Sequence, residues 1–196
     1  MKLKIGCVLM AAGNAKRFGD NKLNKKLNGV SLIDRALNAI PSEILHKVAV
    51  VSQYEEVINK AEMYGFIGVK NKHPDYGISH TIKLGIDTLS DCDAIMFMVS
   101  DQPLLKKDSV SQMLGFYKEN SDYIVGMSYN GVRGNPCVFP KEFYPELKKL
   151  REDHGGNTVI RMHEDKLKLF DATHPDELSD IDTKEDLDAL SVSSII

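Results

Sequence analysis

The feature that most constrains this 196-residue chain is an alternation of two periodicities. Short apolar runs that read as buried strands occur at Lys4–Met10, His46–Ser52, Phe66–Lys70, Ala94–Val99 and Tyr123–Met127. Stretches of helical period lie between them. Tyr54, Val57, Ile58 and Ala61 fall at i, i+3, i+4 and i+7, and Val110, Met113, Leu114 and Tyr117 repeat that spacing. Ser31 and Asp108 stand where helix N-caps belong, and Gly65 where a helix should stop. Strands that alternate with helices form βαβ units. The chain is therefore predicted to be α/β, a single Rossmann-like three-layer domain with a mostly parallel sheet.

After about Ser128 the alternation loosens. Asn130-Gly131 is a turn dipeptide between MSY and the CVF of Pro136–Pro140, which predicts a hairpin insertion near the C-terminal half. A helix near Lys141–Leu150, a loop Asp153–Asn157, a short helix, a strand at Leu167–Asp171 and a last helix from about Thr183 complete the reading. The domain is expected over residues 1–190, with 191–196 a loose tail.

Charge and cysteine content narrow the function classes. The 25 basic and 28 acidic side chains leave a formal charge of -3, without the basic excess that a phosphate-backbone partner demands, so no nucleic acid is expected. Cys7, Cys92 and Cys137 are too far apart in sequence for a zinc or dithiol motif, and a reducing, cytoplasmic setting is expected. No apolar run approaches the ~20 residues that cross a bilayer, and the N-terminus has no secretory pattern, so no membrane partner is expected.

In an open parallel sheet, ligands sit at the carboxyl ends of the strands. The loop after the first strand reads Ala11-Ala12-Gly13-Asn14-Ala15-Lys16-Arg17-Phe18-Gly19-Asp20-Asn21-Lys22. Small residues let its backbone approach an anion, and Lys16, Arg17 and Lys22 add positive charge, a combination suited to a triphosphate. It is neither a Walker A loop nor a dinucleotide fingerprint. The fourth strand ends in Ser100-Asp101-Gln102-Pro103, where a carboxylate could hold Mg²⁺, an ion that takes one or two carboxylates with phosphate oxygens and waters.

The string LxAAGxxxRFGxxK, running from Leu9 to Lys22, resembles the signature of the MobA-like nucleotidyltransferases. Its Ala-Ala-Gly with Arg-Phe-Gly is similar to the molybdenum cofactor cytidylyltransferase branch. The resemblance implies a nucleotide-diphospho-sugar transferase-like fold and a Mg²⁺-dependent enzyme. That enzyme would move CMP from CTP, or the nucleotidyl group of another NTP, to the terminal phosphate of a molybdopterin-type acceptor. It also implies a molybdoenzyme that receives the product. The resemblance places Leu9, Ala11, Ala12, Gly13, Arg17 and Lys22 at the nucleotide, with Arg17, Lys22 and Asp101 catalytic.

Further blocks follow in the family's order along the chain. Asp101 would hold the metal, with Gln102 beside the acceptor. Asn71, Gly77 and Ser79, in a segment that opens a helix, would contact the base or phosphates. Arg133, Gly134, Asn135 and Pro136 resemble the acceptor motif Arg-x-Gly-His-Pro, with Asn135 in the histidine's place. Asp153-His154-Gly155-Gly156-Asn157 resembles a segment that ends in arginine, so Asn157 removes a cation from the expected acceptor pocket. Asp180-Ile181-Asp182-Thr183 resembles the segment that supplies a second carboxylate. Asp182 reads equally as metal ligand or helix cap, and Asp180 is the alternative ligand. His80, at a polar helix start, reads as solvated rather than as a general base.

Overall fold

A computed structural model describes residues 3–13 and 22–193 of the chain. Its elements in order are β1 (Ile5–Ala11), β2 (Lys26–Leu27), β3 (Val30–Ser31), α1 (Leu32–Asn38), β4 (Lys47–Ser52), α2 (Glu55–Met63), β5 (Ile67–Lys70) and α3 (Ile78–Thr88). There follow β6 (Ala94–Val99), α4 (Lys107–Glu119), β7 (Ile124–Tyr129), β8 (Val132–Pro140), α5 (Tyr144–Lys149), α6 (Gly156–Met162), β9 (Leu167–Asp171) and α7 (Lys184–Ser193).

Seven strands form one sheet in the order β5-β4-β1-β6-β8-β7-β9. β1 lies between β4 and β6 and is parallel to both, and β4 is parallel to β5. β8 runs antiparallel to β6 and β7, while β7 is parallel to β9. The hairpin is thus no appendage: its returning strand fills the gap between β6 and β7. Its turn is made by Asn130 at φ 49° and Gly131 at φ 78°, the paired left-handed conformations that match the twist of flanking strands.

Successive residues of β1 feed opposite layers, which is why the strand reads as an unbroken apolar run. Cys7 and Leu9 pack with Ile33, Leu37, Val57, Val110 and Met113 of α1, α2 and α4. Val8 packs with Ile82, Ile86, Leu147 and Val159 of α3, α5 and α6 on the other face. A small third cluster joins Leu27 and Leu32 to Ile181, with Leu104, Leu187 and Leu190 against it, and so fastens α7 to the start of the chain.

Several local expectations hold. The Ser31 hydroxyl accepts from the Asp34 amide at the start of α1, and Gly65, at φ 78°, follows α2. The Asp108 expectation fails: α4 begins at Lys107 with Lys106 at its cap, and Asp108 sits in the first turn. The buried Glu177 carboxylate, reaching over from the segment before α7, accepts from the Lys106 amide instead (3.1 Å). α6 starts at Gly156, inside the stretch read as a loop, and α7 continues through Ser193. The β2–β3 ribbon escaped the reading because its strands are two residues each, although its Asn28-Gly29 turn carries the hairpin dipeptide.

Candidate functional site

The parallel pair β1–β6, registered Met10 to Val99, ends in the two loops that the sequence singles out. Side chains from neighbouring strands pin the first of them. The Ser52 hydroxyl donates to the Ala11 carbonyl (2.8 Å) while accepting from the Tyr54 amide (3.1 Å), and Gln53 Nε2 donates to the Ala12 carbonyl (3.0 Å). The Ser100 hydroxyl donates to the Met10 carbonyl (3.1 Å). With these carbonyls occupied, the strand exit is held rigid and Gly13 is left exposed. Leu9 and Ala11, expected at the nucleotide, turn their side chains into the core. Their contribution is the strand itself. Arg17 lies outside the described residues.

Lys22 and Asp101, 79 residues apart in sequence, meet. Lys22 Nζ donates to Asp101 Oδ2 (3.1 Å) and to the Ile181 carbonyl (2.8 Å), and it stands 3.6 Å from Asp182 Oδ1. The Lys22 and Asp101 side chains are only 16% and 27% exposed, so this pair is screened less than a surface pair. The Ile181 amide donates to the Asp101 carbonyl (2.9 Å), a main-chain tie that brings the 180–182 segment onto the β6 loop. Asp180 completes the group. Its carboxyl is pushed above the usual range, first by desolvation and then by the negative charge of Asp101, with Asp182 adding to it and Lys22 opposing.

The structure separates the two roles proposed for Asp182. Capping of α7 is done by Thr183 and Asp186: the Asp186 amide donates to the Thr183 hydroxyl (3.2 Å), and the Asp182 and Thr183 amides donate to Asp186 Oδ2 (2.9 and 2.8 Å). The Asp182 carboxylate faces Lys22 instead. Among the described residues no three His, Cys, Asp or Glu side chains share one ion-binding point. Mg²⁺ does not require three protein ligands, and Asp101 and Asp182 converge on a single positive charge. Beside them Gln102, 4% exposed, donates from Nε2 to the Leu178 carbonyl, while its Oε1 is buried with no hydrogen-bond partner. The Gln102 side chain also hydrogen-bonds Asp180, so an orphaned buried acceptor lies within the same acidic group, and water carried by a hydrated cation is a donor that would satisfy it; with Asp101 and Asp182 these residues fit the ion.

The segment after β5 is tied to the chain by its own polar groups. Asn71 is buried, donates to the Thr81 hydroxyl (3.2 Å) and accepts from the His73 amide (2.9 Å). Ser79 is buried as well; its amide donates to the Glu152 carbonyl (3.1 Å) and its hydroxyl to the Tyr76 carbonyl (3.4 Å). Gly77 has φ 76°, and a Cβ there would lie 2.4 Å from the Glu152 backbone. Gly77 and Ser79 thus join the start of α3 to the 151–155 loop, while Asn71 ties the end of β5 to Thr81 inside α3. His80 makes an edge contact with Tyr76 (5.5 Å), and partial burial together with His73 lowers its pKa.

On the acceptor side the structure joins two motifs. Arg133 Nη1 donates to Asn157 Oδ1 (2.7 Å) and approaches Cys137 Sγ (3.9 Å). Asn157, read as the loss of a cation, thus orients one. Gly134 packs against Leu178, Asn135 is half-buried and Pro136 is buried. Ser52, Gln53, the Ile181 carbonyl and the Arg133–Asn157 bond were missed in the sequence. Only Ser52 had a signal, its place at a strand's carboxyl end.

Residues 7–167 match the family described as MobA-like NTP transferase domain. The chain belongs to the MobA-like NTP transferase family. This MobA-like chain is 25% identical over 198 residues to the purine catabolism protein PucB of Bacillus subtilis (strain 168), covering 92% of this chain and 93% of that protein. It is 27% identical over 139 residues to a molybdenum cofactor guanylyltransferase of Shewanella sp. (strain MR-4), covering 70% and 68%. The MobA-like fold is also that of a nucleotidyl transferase from Methanothermobacter thermautotroptrophicus, with a TM-score of 0.81 at 20% identity over 98% of each chain.

Proposed function

We propose that this MobA-like enzyme transfers CMP from CTP to the terminal phosphate of a molybdopterin-type acceptor, with release of pyrophosphate. The observation that carries the proposal is the convergence of Lys22, Asp101 and Asp182 at the carboxyl end of the β1–β6 pair. Lys22 would meet negative charge on the departing pyrophosphate, and a cation aimed where charge develops stabilises the transition state more than the ground state. Asp101, tied to Ile181 through its carbonyl, would hold Mg²⁺ together with Asp182. The ion, when bound, would supply positive charge and Lewis acidity to the phosphates. Arg133, oriented by Asn157, would receive the acceptor phosphate. A phosphate is already an anionic nucleophile, so no general base is assigned, and positioning with charge neutralisation supplies the catalysis.

The nucleotide choice rests on Ala12-Gly13, where the resemblance favours CTP. A second reading, GTP as donor, is favoured by the name of the Shewanella relative. The test is pyrophosphate release from CTP, GTP, ATP and UTP with molybdopterin, with and without Mg²⁺, and mass spectrometry of the product. CTP-dependent release of a cytidylated pterin is expected. Release with GTP alone overturns the cytidylyl assignment. Cofactor binding without release from any nucleotide would support a carrier that delivers the cofactor to a molybdoenzyme.

A further inference from the structure

At the exit of β1 two carbonyls in succession are drawn to the same neighbour. Ala11 accepts from the Ser52 hydroxyl (2.8 Å) and Ala12 from Gln53 Nε2 (3.0 Å), both at the carboxyl end of β4. In an extended strand successive carbonyls point to alternate sides, so this pair marks a change of direction in the backbone. β4 flanks β1 on one side and β6 on the other. In a planar trans peptide the C=O and the N–H that follows it point in opposite directions. Carbonyls held towards β4 therefore turn the N–H groups of Ala12 and Gly13 towards β6.

Neither N–H finds an acceptor among the described residues, although Ala12 is only 7% exposed. A buried amide donor is rarely left unpaired, and successive N–H groups turned to one side form an anion-binding concavity. The β6 side is where the Asp101 loop and its partner Lys22 lie, so a positive charge stands on the same side as the two donors. Ser52, fully buried, spends its hydroxyl entirely on this turn, donating to Ala11 and accepting from the Tyr54 amide (3.1 Å).

We infer that Ser52 and Gln53 are positioning residues, which set the two peptides of the β1 loop so that the Ala12 and Gly13 N–H groups receive phosphate oxygens of the bound nucleotide. The inference rests on the reading of this site as one for a nucleoside triphosphate, and adds that the end of β4 decides how the loop presents its donors. The two side chains act through the peptides and not on the nucleotide itself. Loss of the Ser52 hydroxyl would strand the Ala11 carbonyl and the Tyr54 amide together. Gln53→Met is the sharper variant, because it keeps the length of a half-buried side chain and removes one donor.

The probe is inorganic tripolyphosphate without divalent ions, titrated into the full ¹⁵N-labelled chain, with cytidine as a second probe. In the wild type the Ala12 and Gly13 amide protons are expected to move downfield and to saturate together. Gln53→Met should bind tripolyphosphate about tenfold more weakly, the loss of one hydrogen bond to a charged acceptor, with the Gly13 shift abolished and the melting temperature lowered by no more than a few degrees. Gln53→Ala carries the same expectation should Gln53→Met fail to fold. A Gln53 that is only structural would lower the melting temperature and leave the Gly13 shift and the affinity as they are, and that result overturns the inference. Wild-type amides that stay still throughout the titration, or that move with cytidine but not with tripolyphosphate, overturn it as well. Pyrophosphate release by a chain whose two amides do not respond would leave the transfer reading standing without the inference. Amides that respond as expected, with no release from any nucleotide, would do the reverse.

Discussion

Replacing Lys22 by methionine keeps the aliphatic stem and removes the ammonium, and the geometry fixes what should follow. Two hydrogen bonds from a charged donor disappear, to Asp101 Oδ2 (3.1 Å) and to the Ile181 carbonyl (2.8 Å), and a looser approach to the half-exposed Asp182 goes with them. Hydrogen bonds to charged groups contribute about 1.5–3 kcal/mol each, and the exposed pair under about 1 kcal/mol. Against this stands the desolvation of an ammonium only 16% exposed, which the variant no longer bears. A net loss of about 2 kcal/mol is expected, or about 4–8 °C in melting temperature for a chain of this size. The carboxylates then face one another without their cation, and Asp180, which Lys22 helps to keep ionised, is pushed up further. A divalent ion binding there no longer competes with the ammonium. Saturating MgCl₂ should therefore raise the melting temperature of Lys22→Met more than that of the wild type in calorimetry, while pyrophosphate release falls by about 10²–10³. Equal Mg²⁺ shifts in the two proteins would refute the claim that Lys22 stands on an ion site.

Glu177→Gln should lose about 1–3 kcal/mol in urea titration, because an amide nitrogen cannot accept from the Lys106 amide, the Thr173 hydroxyl and the His174 amide that now converge on the carboxylate. Hydrogen bonds from Thr173, Ser109 and the Lys106 backbone outweigh desolvation and hold the Glu177 pKa below its ordinary 4.5. Its contribution is thus present above that value and lost as pH falls through the lower folded value; the mutational loss should shrink in the same window. Gly77→Ala and Gly131→Ala share a positive φ, but only at Gly77 would a Cβ meet backbone, 2.4 Å from Glu152. Gly131→Ala should cost about 1 kcal/mol and Gly77→Ala more than about 2 kcal/mol, read as denaturation midpoints. Equal losses would show that the 151–155 loop gives way freely.

Much of the site was legible because its chemistry is carried by residue types at strand ends. Lys22 and Asp101 could be named from their loops, and they do meet. Asn71, Gly77 and Ser79 show what sequence leaves open: polar residues next to a cleft look the same whether they face a ligand, satisfy the chain's own backbone, or do both. For Gly77 and Ser79 the structural partner is the 151–155 loop, some 75 residues on, which no local pattern announces. Asn157 brings no cation of its own, and only the structure shows that it is a hydrogen-bond partner for Arg133.

Local periodicity, turn dipeptides and strand-end composition are properties of neighbours in the chain. They determined the α/β class and the alternation of the main strands and helices, and they singled out the loops after β1 and β6, which the structure brings together at Lys22 and Asp101. The tertiary structure alone decided that β8 enters the sheet between β6 and β7, that Thr183 and Asp186 release Asp182 from capping, and that Ser52 and Gln53 hold the carbonyls of Ala11 and Ala12. Each of these depends on contacts between residues distant in sequence, and the free energy of such contacts is set by packing and desolvation that no local pattern encodes.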